Sequence, residues 1–299
     1  MDERIEMSER FDTAWRADRR YLLDIAYRML GSIQEAEDVV QEGYARLLRA
    51  DVDEIEDVRG WLVVVVSRIC LDHLRSARAR RETTVGPWLP EPVIVGPVGA
   101  PAVDPADRVT LDDTVRMAML ILLEELSPAE RAAFVLHDVF QLPFESVGDI
   151  VGRSPAACRK LASRAREHLR EHGATARFTV EPNEHELVTR RFIDACTNGD
   201  LQALLEVLDP DVTGEADLGV NNFMLTQPVS GAENVAPRLL ALYGTGRITL
   251  SCMQVNGEPA AVATRQGHVW AVVFLTTHAG RVTAVHAVVD PKKLAHLQP

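Results

Sequence analysis

Apolar residues recur at helical spacing through residues 8–81 and 108–173, and strand-like alternation takes over after residue 178. In the segment 21–49, Ala36, Val40, Gly43, Tyr44 and Leu47 fall on one face, which predicts a buried stripe. Glu35, Asp38 and Glu42 follow a second face and make an acidic stripe. The run Val63–Val66 has strand propensity. However, Leu62, Val65, Val66, Ile69 and Leu74 keep a 3.6-residue period, so 61–81 is read as helix. From 178 onward one or two helices are expected. Val- and Thr-rich strands follow, among them HVWAVVFLTTH and RVTAVHAVVD.

Between the two helical stretches, residues 82–107 hold six prolines and three glycines and no periodicity. This predicts a linker stiffened toward extended backbone. The chain therefore divides into 8–81, the linker 82–107, 108–173 and 178–299.

Residues 127–171 carry the most informative local pattern. Ser127, Pro128 and Glu130 form a helix start, with a cap, a first-turn proline and an acid three residues on. A short helix over 144–151 is stopped by Gly152, and Ser154-Pro155 starts another. A short helix, a tight turn and a longer helix make a helix-turn-helix. On the last helix Cys158, Leu161, Ala162, Ala165 and Leu169 share an apolar arc. Arg159, Lys160, Arg164, Arg166 and Arg170 share the opposite one. Such a helix, entered through Arg153 and Ser154, suits base edges in the major groove and the phosphates beside them. A plain solvated basic face is the alternative. Arg68, Arg75 and Arg78, with Arg80 and Arg81, form a second basic surface.

Composition at first opposes a nucleic-acid partner. The 299 residues carry a net charge of −12. By zone, 1–81 is −3, the linker −4, 108–177 neutral and 178–299 −5. The surplus acid thus lies mainly outside the helix-turn-helix, which keeps its cations on one face. The protein is expected to bind DNA poorly alone and to need a partner to hold it there. The four cysteines have neither metal-ligand nor disulfide-framework spacing, and no metal or other cofactor is expected. His168 and His172 stand at i, i+4 with no third ligand nearby. No apolar run reaches the ~18 residues of a membrane span, and no signal peptide is seen, so a cytoplasmic protein is expected.

YLLDIAYRMLGSIQEAEDVVQEGYARLLR and RGWLVVVVSRICLDHLRSARARR resemble region two of extracytoplasmic-function sigma factors. LSPAERAAFVLHDVFQLPFESVGDIVGRSPAACRKLASRAREHLR resembles their region four. The resemblance implies two all-α domains that bind core RNA polymerase and direct initiation at specific promoters. By it, Glu35, Asp38, Gln41 and Glu42 become the polymerase-docking surface. Arg75, Arg78, Arg80 and Arg81 become contacts near the −10 element. Arg153, Ser154, Arg159, Lys160, Arg164 and Arg166 read the −35 element.

The linker motif Trp88, Leu89, Pro90, Glu91, Pro92 resembles that of a sigma-factor group with a fused SnoaL-like C-terminal domain. There the linker threads toward the polymerase active-site channel. Residues 178–299 resemble that domain, an α+β cone with a pocket, expected to act on the sigma regions in cis. Asp217, Tyr243, His268 and His286 are its candidate polar groups. Asp217 stands in a loop, Asp217–Val220, that departs from the group's Asp-Gly-Gly-Gly pattern. Asn256-Gly257-Glu258-Pro259-Ala260 resembles a second loop of the group. Asp217, Asn256 and His286 are the pocket or regulatory candidates, and no catalytic residue is assigned. The alternative function is a SnoaL-like small-molecule enzyme or ligand sensor joined to a DNA-binding module. A repressor using only the helix-turn-helix leaves 21–81 unexplained.

Overall fold

The computed structural model describes residues 2–50, 55–81, 88–98, 116–171, 182–219, 228–244 and 246–298, with side chains at 2–14, 17, 77–81 and 182 left aside. The described residues form two compact units. One holds 2–81 and 122–171, the other 88–98, 116–121 and 182–298.

In the first unit, α1 (Asp2–Leu30), α2 (Ile33–Leu47) and α3 (Val58–Arg81) form one helical group. Ser32 caps α2, its Oγ accepting from the Glu35 amide at 3.0 Å. The buried face of α2 is Ala36, Val39, Val40, Gly43 and Leu47. Gly43 lets α2 and α3 close together, since a Cβ there would stand 2.7 Å from Val66 Cγ2. The valine run of α3 is helical, as its period and not its propensity indicated.

The second group starts at α4 (Met117–Glu125), inside which the division between units falls. α5 (Pro128–Phe134) opens on a complete capping box between Ser127 and Glu130. It does not run on as α-helix to Phe140. A π-helical turn, Val135–Val139, replaces its end, with the Phe140 amide donating to Val135 O at 3.1 Å. α6 (Phe144–Val151) ends at Gly152, whose φ of 73° is left-handed. α7 (Pro155–Glu171) follows, its Ser154 Oγ accepting from the Ala157 amide at 3.3 Å.

A buried arginine network joins the two groups. Arg131 donates from Nε and Nη2 to Arg28 O at 3.1 and 3.0 Å, and pairs with Glu124. Arg28, itself 1% exposed, donates to Asp24 O at 3.1 Å. The Arg28 carbonyl lies in the last turn of α1, where carbonyls lack helical partners. Tyr21 and Phe140 meet edge to face at 5.2 Å, and Arg68 donates to Asp149 O at 2.9 Å.

The second unit is α+β, the class expected of residues 178–299. α8 (Pro182–Asn198), α9 (Leu201–Val207) and α10 (Ala232–Tyr243) cover a seven-stranded sheet. Its strands are β1 (Ile94–Pro97), β2 (Leu208–Asp217), β3 (Val229–Ser230), β4 (Thr249–Val255), β5 (Glu258–Arg265), β6 (His268–His278) and β7 (Arg281–Val288). The order is β1-β4-β5-β6-β7-β2-β3, with β2 and β7 parallel and the other pairs antiparallel. Asp209–Val212 lies inside β2, where the register against β7 shifts.

The sheet is covered on both faces. Helices pack on one through Phe192, Val207, Leu239 and Tyr243. Leu89, Met117, Val255, Val272, Phe274, Val288 and Leu294 form a separate core on the other. Part of the proline-rich segment is therefore built into the fold. Leu89 is 1% exposed, and β1 forms an edge strand against β4.

Candidate nucleic-acid interface and linker site

On α7, Cys158, Ala162, Ala165 and Leu169 are buried, while Arg153, Ser154, Arg159, Lys160, Arg164 and Arg166 are exposed. The turn before α7 is tight because Gly148 admits Arg153 O, which a Cβ would meet at 2.7 Å. Arg159 lies 3.7 Å from Glu145 and over the Phe144 ring at 5.2 Å, and Arg166 pairs with Asp138 at 2.7 Å. Among the described residues Arg153, Lys160 and Arg164 form no ion pair. Exposed pairs of this kind contribute about 0–1 kcal/mol, so phosphates can replace their acids at little cost.

The α2 stripe of Glu35, Asp38, Gln41 and Glu42 is exposed along its length. Glu42 accepts from Arg46 Nε at 3.1 Å, one turn further on. Arg75 is exposed and pairs with Asp72 at 3.2 Å. The side chains of Arg78, Arg80 and Arg81 lie outside the described ones. His168 bonds Glu125 at 2.8 Å, and His172 lies outside the described residues.

The most elaborate buried polar arrangement receives the linker motif. Asp217 Oδ2 accepts from the Leu89 amide at 2.8 Å and from Lys293 Nζ at 2.6 Å. Lys293 also donates to Leu89 O, and its ammonium lies 3.8 Å from the centre of the Trp88 ring. His296 Nε2 donates to Pro92 O at 2.9 Å. Pro90, Glu91 and Pro92 are buried. Asn256 meets Val93 twice, its Oδ1 accepting from the Val93 amide and its main-chain N–H donating to Val93 O, both at 2.9 Å. Glu258 Oε1 accepts from the Met117 amide at 3.0 Å. Burial pushes the Glu258 carboxyl up to about 7, against the opposing pull of the Met117 amide and Arg116.

These bonds have a common cause. Prolines 90 and 92 have no N–H, so this segment cannot form a regular ladder along its length. Its remaining main-chain groups are buried and need partners, and side chains of the sheet supply them.

A pocket of about 110 Å³ opens on the helix face, lined by Val235, Arg238, Leu239, Tyr243, Val285 and Ala287 among others. It does not gather the four polar groups picked from sequence. Tyr243 lines it, its hydroxyl pushed up by burial. His286 alternates with Val285 and Ala287 and bonds Glu215 at 2.8 Å instead. Asp217 belongs to the linker site, and His268 is exposed at the start of β6. Sequence reasoning missed Lys293 and His296 and gave Glu258 no role. Their neighbourhoods did not set them apart, since Lys293 follows Asp290 and Lys292 and Glu258 follows Asn256 and Gly257.

Residues 14–80 match Sigma-70 region 2 and residues 116–169 match Sigma-70, region 4. The chain is 47% identical over 289 residues to the probable ECF RNA polymerase sigma factor SigI of Mycobacterium tuberculosis strain H37Rv, covering 95% of each. It is 38% identical over 286 residues to the ECF RNA polymerase sigma factor SigJ of the same strain, covering 92% of this chain and 90% of that one. The crystal structure of M. tuberculosis extracytoplasmic function sigma factor SigJ superposes with a TM-score of 0.74 at 35% identity, covering 95% of this chain and 98% of that one.

Proposed function

The chain belongs to the extracytoplasmic-function RNA polymerase sigma factors, and from that premise we propose how its parts divide the work. Residues 8–81 dock on core polymerase through Glu35, Asp38, Gln41 and Glu42. They meet the −10 element through Arg75, Arg78, Arg80 and Arg81. Residues 108–173 place the N-terminal half of α7 in the major groove of the −35 element. Arg153, Ser154, Arg159 and Lys160 face base edges there, and Arg164 and Arg166 face phosphates. The work is done in the cytoplasm, where the polymerase is, and assigns no catalytic residue.

The observation that carries this reading is the exposed cationic arc of α7 behind a tight helix-turn-helix. The C-terminal domain regulates in cis. Its support is the linker site, where Asp217, Lys293 and Asn256 hold residues 88–93 by their main chain. While held there, those residues are not free to enter a polymerase channel.

Core polymerase mixed with the full chain and genomic DNA, followed by sequencing of the bound DNA, tests the reading. Enrichment of a shared two-element sequence is expected, together with specific transcripts from it. Absence of transcripts across the recovered DNA would refute it.

A further inference from the structure

The pocket under α10 has a cause in the strands beneath it. Val235, Leu239 and Tyr243 recur every four residues and form its helix wall. On the sheet side β2 and β7 run parallel, with Gly214 opposite Val285 and Ala216 opposite Ala287. Glycine and the two alanines carry at most one side-chain carbon each, so the sheet does not fill the space that the helix leaves. The pocket measures about 110 Å³ and opens to solvent. An apolar cavity of about 150 Å³ holds one benzene ring, so this one admits a single six-membered ring with part of it toward water.

Two polar side chains of this pocket lack partners. Tyr243 is 2% exposed, its ring held edge-on to Trp270 with centroids 6.1 Å apart. Its hydroxyl forms no hydrogen bond among the described residues. A buried donor without an acceptor is costly, and a bound molecule can supply the acceptor. Burial pushes the hydroxyl up, so it keeps its proton to donate. Arg238 is exposed at the mouth and forms no ion pair among the described residues. Leu242, one turn further along, lies at the same mouth with 48% of its surface in water. Glu215 also lines the pocket, but its carboxylate is bonded to His286 Nδ1 at 2.8 Å. The charge left over at the mouth is therefore positive. Arg238 and Tyr243 stand ~7.5 Å apart along the helix axis, which suits the two ends of one small molecule better than a single group.

We propose that this pocket is a binding site for a small hydroxylated aromatic carboxylate. Its carboxylate meets Arg238, its ring lies between Leu239 and the floor of Ala216 and Ala287, and its far hydroxyl accepts from Tyr243. A rigid para-substituted ring holds its two polar ends apart at no conformational cost, whereas a flexible chain has to be ordered first. The inference goes beyond the sigma-factor reading and does not rest on it, since binding is measured without polymerase or DNA.

Calorimetric titration of the full chain with 4-hydroxybenzoate, benzoate and 4-hydroxybenzamide tests the site. 4-Hydroxybenzoate is expected to bind one per chain with a dissociation constant below about 1 mM. Benzoate lacks the far hydroxyl and 4-hydroxybenzamide lacks the charge, and each is expected to bind about fivefold more weakly. Tyr243→Phe is expected to erase the preference over benzoate and keep the preference over the amide. Arg238→Gln is expected to do the reverse. Ala216→Leu fills the floor and is expected to abolish binding of all three probes. Absence of saturable 4-hydroxybenzoate binding, or preferences that neither Tyr243→Phe nor Arg238→Gln moves, would overturn the site. Wild-type binding by a folded Ala216→Leu protein would place the probes elsewhere and overturn it too.

Thermal unfolding is read on the same proteins without probe. Tyr243→Phe removes a hydroxyl that has no partner in the fold, so its midpoint is expected to match or exceed that of the wild type. A clearly lower midpoint would mean that the hydroxyl is bonded within the fold, and counts against the proposal. The two preferences decide the matter by themselves if Ala216→Leu does not fold.

Discussion

Lys293 Nζ and Asp217 Oδ2 lie 2.6 Å apart, both side chains almost fully buried, with the Leu89 amide on the same carboxylate oxygen. An ion pair so enclosed is costly to assemble and more costly to leave half-formed. Here the pair also binds both main-chain groups of Leu89, so its integrity and the docking of the linker are one event. Lys293→Met is expected to destabilise the second unit by about 3 kcal/mol and to release Trp88. Asp217→Asn combined with Lys293→Met is expected to cost less than the two single changes added. Thermal unfolding followed by tryptophan fluorescence, run as a double-mutant cycle, checks both statements.

Arg131 poses the same question inside the helical unit. Its guanidinium pairs with Glu124 and donates twice to Arg28 O, at 1% exposure. Arg131→Met leaves Glu124 and a helix-end carbonyl without a donor they now have, and is expected to cost about 3–5 kcal/mol. Arg131→Lys cannot match the forked geometry and is expected to restore only part of the loss. Chemical denaturation of the three proteins measures the order.

The cations of α7 are expected to separate by salt dependence. Replacing Arg164 or Arg166, the phosphate-facing pair, is expected to reduce the slope of log binding constant against log salt by about 0.9 each. Replacing Arg159 or Lys160 is expected to relax sequence preference at individual −35 positions. Titration of holoenzyme on promoter variants at several salt concentrations distinguishes the two effects.

Glu258 predicts a pH dependence. Burial pushes its carboxyl up to about 7 in the folded protein from an ordinary 4.5, so the folded state binds the extra proton between those values. Stability contributed by the neutral form is full below pH 4.5 and is lost as pH rises through 7, by about 3 kcal/mol. His185, lowered to about 4 by burial, works in the opposite sense, favouring the folded state as pH rises through 4 toward 6.5. The difference between wild type and Glu258→Gln isolates the first slope. The variant is expected to gain on the wild type from pH 5 to about pH 7 in thermal unfolding, and the difference is expected to level off above that.

Much of the helical unit is legible in the sequence. Ser127 and Glu130 form the capping box that their spacing announced, Gly152 adopts the left-handed angle that ends α6, and the α7 arginines are exposed opposite Cys158 and Ala162. The end of α5 was not legible, because a π-helical turn keeps the same apolar face while adding one residue. In the second unit the β6–β7 hairpin was visible from its alternation. The pocket candidates were not separable by sequence, since alternation decides faces only once strand partners are known, and His286 and Tyr243 went to different sides.

The sequence by itself determined the helix periods, the caps, the helix-turn-helix and the face on which its cations stand. These depend on residues within a turn or two of each other. Tertiary structure alone decided that residues 88–98 of the proline-rich segment are bound to the sheet, with Ile94–Pro97 as a strand. Leu89 meets Asp217 across 128 positions, Val93 meets Asn256 across 163, and Met117 meets Glu258 across 141. In each case a side chain holds a main-chain group. A main-chain amide is the same whatever side chain it carries, so the bond leaves no pattern in the residue it holds.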